Sequence, residues 1–260
     1  MFIDTHCHLT FDELRTRWDD IRAAMAEAQV TRAIAINTTI EEFETLHAFT
    51  LAHPGLLWCT AGVHPDNEGV HEPDEDELVD LGGRAGVVAI GECGLDYYRL
   101  GQRTLGDMDW QRERFRTHIR AARRLGKPLV VHTRSSAADT LRILREERAE
   151  EVGGVLHCFT ETAQVARQAL DLGFHISFSG ILTFKNATDL REVAAMVPLQ
   201  RCLIETDSPY LAPAPHRGRL NTPALVPFVA RQLAQTKGLG LQEVARATWD
   251  NATRVFGLPG

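Results

Sequence analysis

The segment Val87-Val-Ala-Ile-Gly-Glu92 is nearly continuously apolar and ends in a carboxylate. A strand with one wet face alternates apolar and polar residues, whereas a strand buried on both faces of a parallel sheet does not. The segment therefore reads as an interior strand carrying a charged group at its carboxyl end. The same unit recurs on both sides of it. Further apolar runs lie at 2–9, 32–37, 57–64, 128–132, 154–157, 175–180 and 201–207. Helical patterns alternate with them: Leu14, Trp18, Ile21, Ala24, Met25 and Ala28 share a stripe, and so do Ile40, Phe43, Leu46, His47, Thr50 and Leu51. The remainder from Thr222 to Phe256 reads as helical. Eight strand units without a Pro/Gly/Ser-rich linker predict a single α/β domain over residues 1–260, a (β/α)8 barrel of the TIM type. A doubly wound sheet is the rival, but no Gly-x-Gly-x-x-Gly turn follows the first strand.

With 260 residues, 44% of them hydrophobic, the chain can bury a large core. A net charge of -7 excludes a broadly basic nucleic-acid coat and leaves room only for a local cationic mouth. Lys127, Lys185 and Lys237 are its lysines, so arginine carries nearly all the positive charge, for which genome composition is sufficient cause. Cys7, Cys59, Cys93, Cys158 and Cys202 form no Cys-x-x-Cys pair and read as reduced, buried thiols. With no leader pattern and no apolar run of membrane-spanning length, the expected location is the cytoplasm, with no membrane and no protein partner implied.

The chemistry gathers at strand ends. His6 and His8 are two apart on the first strand and point the same way, with Cys7 opposite. His64, Glu92, His132, His157 and Asp207 lie at or near the ends of later strands. Barrel enzymes place their active sites at that end, so one site is expected to collect all seven. Cys7, Cys93 and Cys158 each follow a candidate ligand by one residue, which turns their thiols away if the pleat persists. The donors are then imidazole and carboxylate, suited to Zn, Mn, Fe or Ni, and to Mg where water completes the shell. Histidines and acids in this number exceed what one catalytic ion takes, so two divalent ions are expected, with Glu92 able to bridge them.

Taken together, Asp4-Thr-His-Cys-His8, Gly62-Val-His-Pro65, Gly91-Glu-Cys-Gly-Leu-Asp96, His132-Thr-Arg134, His157-Cys-Phe159 and Glu205-Thr-Asp-Ser-Pro-Tyr-Leu211 resemble the TatD family of metal-dependent deoxyribonucleases, within the amidohydrolase-like barrels. His216-Arg-Gly218 and Asn251-Ala-Thr-Arg-Val-Phe256 resemble it as well. The resemblance implies that His6, His8 and Asp207 hold one ion and His132 and His157 the other, with Glu92 between them. For Glu205 two roles stay open: a further metal ligand, or a carboxylate that orients a histidine.

The activity this implies is hydrolysis of DNA phosphodiesters by water activated at the metals, with Asp207 accepting or steering its proton and Glu92 also catalytic. His64, Arg134, His216 and Arg217 are the candidate substrate contacts. The acidic net charge favours end-directed, sequence-indifferent cleavage, and the resemblance points to 3′-to-5′ exonuclease action on single strands of DNA, with RNA as a further substrate. An amide or ester hydrolase, such as a D-aminoacyl-tRNA deacylase, is the alternative on the same metals. A non-catalytic barrel stabilised by structural metals is a third reading.

Overall fold

The computed structural model describes residues 1–260 and contains eight strands in one parallel sheet whose order in space is their order in sequence. In chain order the elements are β1 (Phe2–Cys7), α1 (Asp12–Arg15), α2 (Trp18–Glu27), β2 (Val30–Ala35), α3 (Ile40–Leu51), β3 (Leu57–Ala61), α4 (Glu75–Gly83) and β4 (Val87–Asp96), followed by α5 (Asp109–Leu125), β5 (Leu129–Arg134) and α6 (Ala137–Glu146). The chain continues through β6 (Gly154–Leu156), α7 (Ala163–Asp171), β7 (His175–Phe178), α8 (Thr188–Met196), β8 (Cys202–Ile204), α9 (Val226–Lys237) and α10 (Leu241–Val255). This is the expected (β/α)8 barrel.

Side chains from six strands, Ile3, Ile34, Ala89, Val130, Val155 and Leu203, pack together with Phe256 and Leu258. Residues from strands so far apart around a barrel meet only inside it, so the chain's end closes the floor of the barrel and leaves the carboxyl ends of the strands as its open mouth. The outer helices bury their stripes against the other side of the strands, with Phe43, Phe115 and Phe174 fully buried there.

The sheet closes through the segment that follows β8. Asp207 N–H donates to His6 C=O at 2.9 Å and His8 N–H donates to Ser208 C=O at 2.8 Å, and Cys7 bridges Ser208 in parallel fashion. The closure is thus made by the residues that carry the chemistry. Asp4 reinforces it, accepting from the backbone N–H of Thr206 at 2.9 Å and from its hydroxyl at 2.5 Å.

Several strands end sooner than the apolar runs suggest. β3 stops at Ala61, β6 at Leu156 and β8 at Ile204, so His64, His157 and Asp207 lie on the loops just beyond. β4 does the opposite, running on from Glu92 to Asp96. Its pairing with β5 slips between Ile90 and Cys93, a bulge at Gly91–Glu92 of the kind that re-aims a side chain beside a site. A Cβ on Gly94 would lie 2.0 Å from the His132 carbonyl oxygen, so only glycine lets β4 pass that close to β5. The long helical run after Thr222 is two helices, because Gly238 takes the left-handed conformation that ends α9. No helix is long and apolar enough to cross a membrane.

Candidate metal centre and substrate cleft

Glu92, 2% exposed, is the hub of the mouth. Its Oε2 lies 3.3 Å from His6 Nε2. Its Oε1 lies 2.7 Å from His157 Nε2, 3.2 Å from His132 Nδ1 and 3.4 Å from His64 Nε2. Asp207 Oδ1 lies 3.3 Å from His8 Nε2 and 3.6 Å from His6 Nε2. The two oxygens of Glu92 thus divide the imidazoles into one group on the β1 side and another on the β3, β5 and β6 side. The groups touch, since the rings of His6 and His157 stack at 3.8 Å. Burial alone would raise the Glu92 carboxyl, but the imidazoles of His157, His64 and His6 hold it well below the usual carboxylate range.

These donors fit a cation. Both ring nitrogens of His6 and Nδ1 of His8 are buried without a hydrogen-bond partner, a condition that costs about 1–3 kcal/mol per group in a closed interior. Three sets offer donor atoms within 4.8 Å of one another: His6, His8 and Glu92; His64, Glu92 and His132; His6, His157 and Glu205. Imidazole and carboxylate donors gathered in this way are the kind that would hold a divalent cation.

Carboxylates behind the imidazoles fix which nitrogen faces inward. His132 Nε2 is 3.0 Å from Asp96 Oδ2, which leaves Nδ1 for Glu92. His157 Nδ1 is 3.2 Å from Glu205 Oε1, which leaves Nε2. Glu205 Oε1 also accepts from Cys158 N–H at 2.7 Å, so that oxygen serves orientation. Such partners set tautomer and ring direction at metal sites. Asp4 does the same for the backbone, accepting from His6 N–H at 3.2 Å, although burial pushes its carboxyl up to about 8.

The sequence offered no sign of the role of α5. Three of its buried polar residues hold the mouth in place. Gln111 accepts from Asp96 N–H and donates to the Pro65 carbonyl, and Arg114 donates to the His64 carbonyl at 2.9 Å. His118 Nδ1–H donates to the Arg114 carbonyl while its Nε2 accepts from Val63 N–H at 2.9 Å. Both nitrogens are used only by the neutral ring, and burial pushes His118 down to about 4. The unfolded chain binds a proton here near pH 6.5, whereas the folded chain does not until about 4. Stability from this residue is therefore complete above pH 6.5 and falls as pH drops toward 4, by an amount reaching about 3 kcal/mol. Urea midpoints at pH 7 and pH 5 are expected to fall more for the natural protein than for His118→Gln; parallel slopes would refute this.

The cluster floors a cleft of about 660 Å3 lined in part by His8, Phe11, His64, Arg99, Arg134 and Tyr210. A groove of about 770 Å3 at the opposite end, beside Phe2, Phe228 and Trp249, holds none of these groups. Of the sequence-derived substrate candidates, His64 stands within the donor cluster and Arg134 lines the cleft over the ring of Tyr98 at 3.7 Å. His216 and Arg217 are not brought into the cleft: His216 packs edge-on against Phe228 and Arg217 lies over Phe184. Cys7 and Cys93 turn into the apolar core as expected. Cys158 does not turn away, because the pleat ends at Leu156 and Cys158, with φ 42°, enters the cleft wall.

Comparison of the whole chain with known proteins places it in a family. The family model described as TatD related DNase matches residues 3–257. The chain belongs to the TatD family. Membership makes it a metal-dependent hydrolase, the chemistry for which its donor cluster is suited. It is 46% identical over 258 residues to the uncharacterized metal-dependent hydrolase YcfH of Escherichia coli K12, covering 98% of this chain and 95% of that one. It is 33% identical to a protein of Cronobacter sakazakii named 3′-5′ ssDNA/RNA exonuclease TatD, covering 97% of each. The crystal structure of YjjV, a TatD homologue of Escherichia coli, superposes with a TM-score of 0.89 at 28% identity, covering 99% of this chain and 98% of that one.

Proposed function

We propose that this TatD-family hydrolase cleaves phosphodiester bonds in single-stranded DNA, and in RNA, from the 3′ end, using two divalent cations that share Glu92. The observation that carries the reading is the division of Glu92: one oxygen faces His6, the other faces His157, His132 and His64. His6 and His8 with Asp207 would hold one cation, and His132 and His157 the other, with His64 free to join them or to meet a phosphate oxygen. Bound there, the cations would stabilise the charge of an in-line displacement at phosphorus and lower the pKa of the attacking water.

The chain's own groups supply the rest. Asp207 has 16% of its side chain exposed, whereas Glu92 and Glu205 have 2% and 1%, so it is the carboxylate of this cluster best placed to take the proton of water entering from the cleft. Arg134 and Arg99 place positive charge on the cleft wall where a strand's phosphates would run. With a net charge of -7, such local contacts, rather than a basic surface, bring the strand in. The named activity of the Cronobacter relative supports the same substrate class.

Elemental analysis of purified protein, joined to metal-reconstituted digestion of single strands labelled at the 3′ or 5′ end, tests the reading. About two divalent ions per chain and early release of a 3′ label are expected. One tightly held ion at full activity, or early release of the 5′ label, contradicts it.

A further inference from the structure

Two aromatic rings stand in the open at the barrel mouth, and the proposed chemistry gives neither a task. Tyr98 is 61% exposed and Tyr210 is 57% exposed; the other exposed large hydrophobic side chains, Met1, Leu51 and Leu105, are not aromatic. Tyr98 follows the end of β4 and Tyr210 follows Asp207 in the turn closed by the Tyr210 N–H to Asp207 carbonyl bond of 3.1 Å. The first position is therefore tied to the strand that delivers Glu92, and the second to the turn that carries Asp207.

Tyr210 is the outermost member of a run of rings. It meets Phe11 edge to face, with centroids 6.3 Å apart and planes at 74°. Phe11 in turn stacks on the imidazole of His8 at 4.9 Å and 20°. All three line the cleft. The run leads from a residue of the donor cluster to solvent without interruption. On another part of the wall, the Arg134 guanidinium lies over the ring of Tyr98, its carbon 3.7 Å from the ring centroid. An arginine held this way offers a planar, pre-oriented cation suited to phosphate.

We propose that Phe11 and Tyr210 form a stacking platform for an unpaired base beside the scissile phosphodiester, while Arg134, braced by Tyr98, holds the strand's backbone. The inference rests on the nuclease reading above and deepens it by naming what selects the substrate. Every base has a π face, so such a platform is indifferent to sequence. A base inside a duplex has both faces covered by its neighbours, so the platform accepts single strands and frayed ends in preference to intact duplex. On an acidic protein it also supplies affinity that long-range electrostatics does not.

The test uses a short single strand with phosphorothioate linkages and 2-aminopurine as its 3′ base, bound to the metal-loaded protein. Stacking quenches 2-aminopurine fluorescence. The natural protein is expected to quench it; Tyr210→Ala is expected to lose the quench and to bind roughly ten- to a hundredfold more weakly, and Tyr210→Trp to restore both. In parallel, an unmodified strand is offered for cleavage with an ordinary or an abasic 3′ nucleotide. The natural protein is expected to prefer the ordinary end, and Tyr210→Ala to treat the two more nearly alike.

Quenching that survives in both Tyr210→Ala and Phe11→Ala overturns the platform, whether or not the strand is cut. Quenching that depends on Tyr210 in a protein that cuts no strand keeps the platform as a binding site and overturns the nuclease reading. A natural protein that neither quenches the probe nor cuts the strand overturns both.

Discussion

Glu92→Gln is expected to leave fewer than one divalent ion per chain and to lower phosphodiester cleavage on the order of 10³-fold or more. The substitution keeps the shape of the side chain and removes two things at once. It removes the charge that the surrounding imidazoles are arranged to meet, and it removes one of two acceptor oxygens. A glutamine amide presents an oxygen on one side and an NH2 on the other. Whichever way it turns, either His6 or the His157, His132 and His64 group faces a donor where the natural protein has a ligand. A carboxylate shared between two cations would lose one of its two ends in either orientation. The fold is expected to persist, because the core is apolar and lies on either side of the strands rather than at the mouth. Circular dichroism and a thermal melt confirm that the chain is folded, and elemental analysis reads the ions. A folded variant with an unchanged metal content would show that Glu92 is not shared, and the two-ion arrangement would fall.

The barrel was legible because parallel strands buried on both faces leave a mark that survives in sequence: unbroken apolar runs such as 87–92, punctuated by helical stripes. The strand ends were less legible. His157 and Asp207 sit where the pleat has stopped, and backbone that departs from a regular period carries no periodic signal. Asp207 has φ 56° and Cys158 has φ 42°, which is why alternation assigned Cys158 to the wrong side. The cluster was legible for a different reason: topology brings like positions of a repeated unit to one place, so histidines and acids at successive strand ends had to meet.

The groups that orient the imidazoles were harder to see. Asp96 is four residues beyond Glu92, the same face of a strand, and that phase was the available clue. Gln111, Arg114 and His118 lie on one stripe of α5, where polar residues facing inward would ordinarily have argued against burial. Each of them bonds a backbone group of the loop after β3, at Pro65, His64 or Val63, and a backbone partner leaves no trace in the sequence. His216 and Arg217 show the converse. A positive residue in a long loop suggests phosphate, but its direction depends on packing against Phe228 and Phe184, which spacing does not encode.

Asp207→Asn is expected to lower kcat by about 10²- to 10⁴-fold while at least one ion stays bound at the His132 and His157 side. The choice of asparagine matters. Asp207 is in the left-handed region, where asparagine is tolerated far better than alanine, so the backbone that closes the barrel through the His6 carbonyl is preserved. What changes is the atom facing the cleft. The carboxylate can accept a proton from water and carry it away; the amide cannot. Its oxygen can still face His8 and His6, so part of the ligand geometry remains. The effect is thus expected in turnover more than in strand binding, which the Phe11 and Tyr210 platform and Arg134 supply independently. His6→Ala with His8→Ala makes the contrast, since it is expected to empty the β1 side and leave the other side at least partly occupied. Measuring kcat, strand affinity and ions per chain on these variants separates proton transfer from metal loss. Asp207→Asn that cuts strands at the natural rate with its ions in place would remove Asp207 from the proton path.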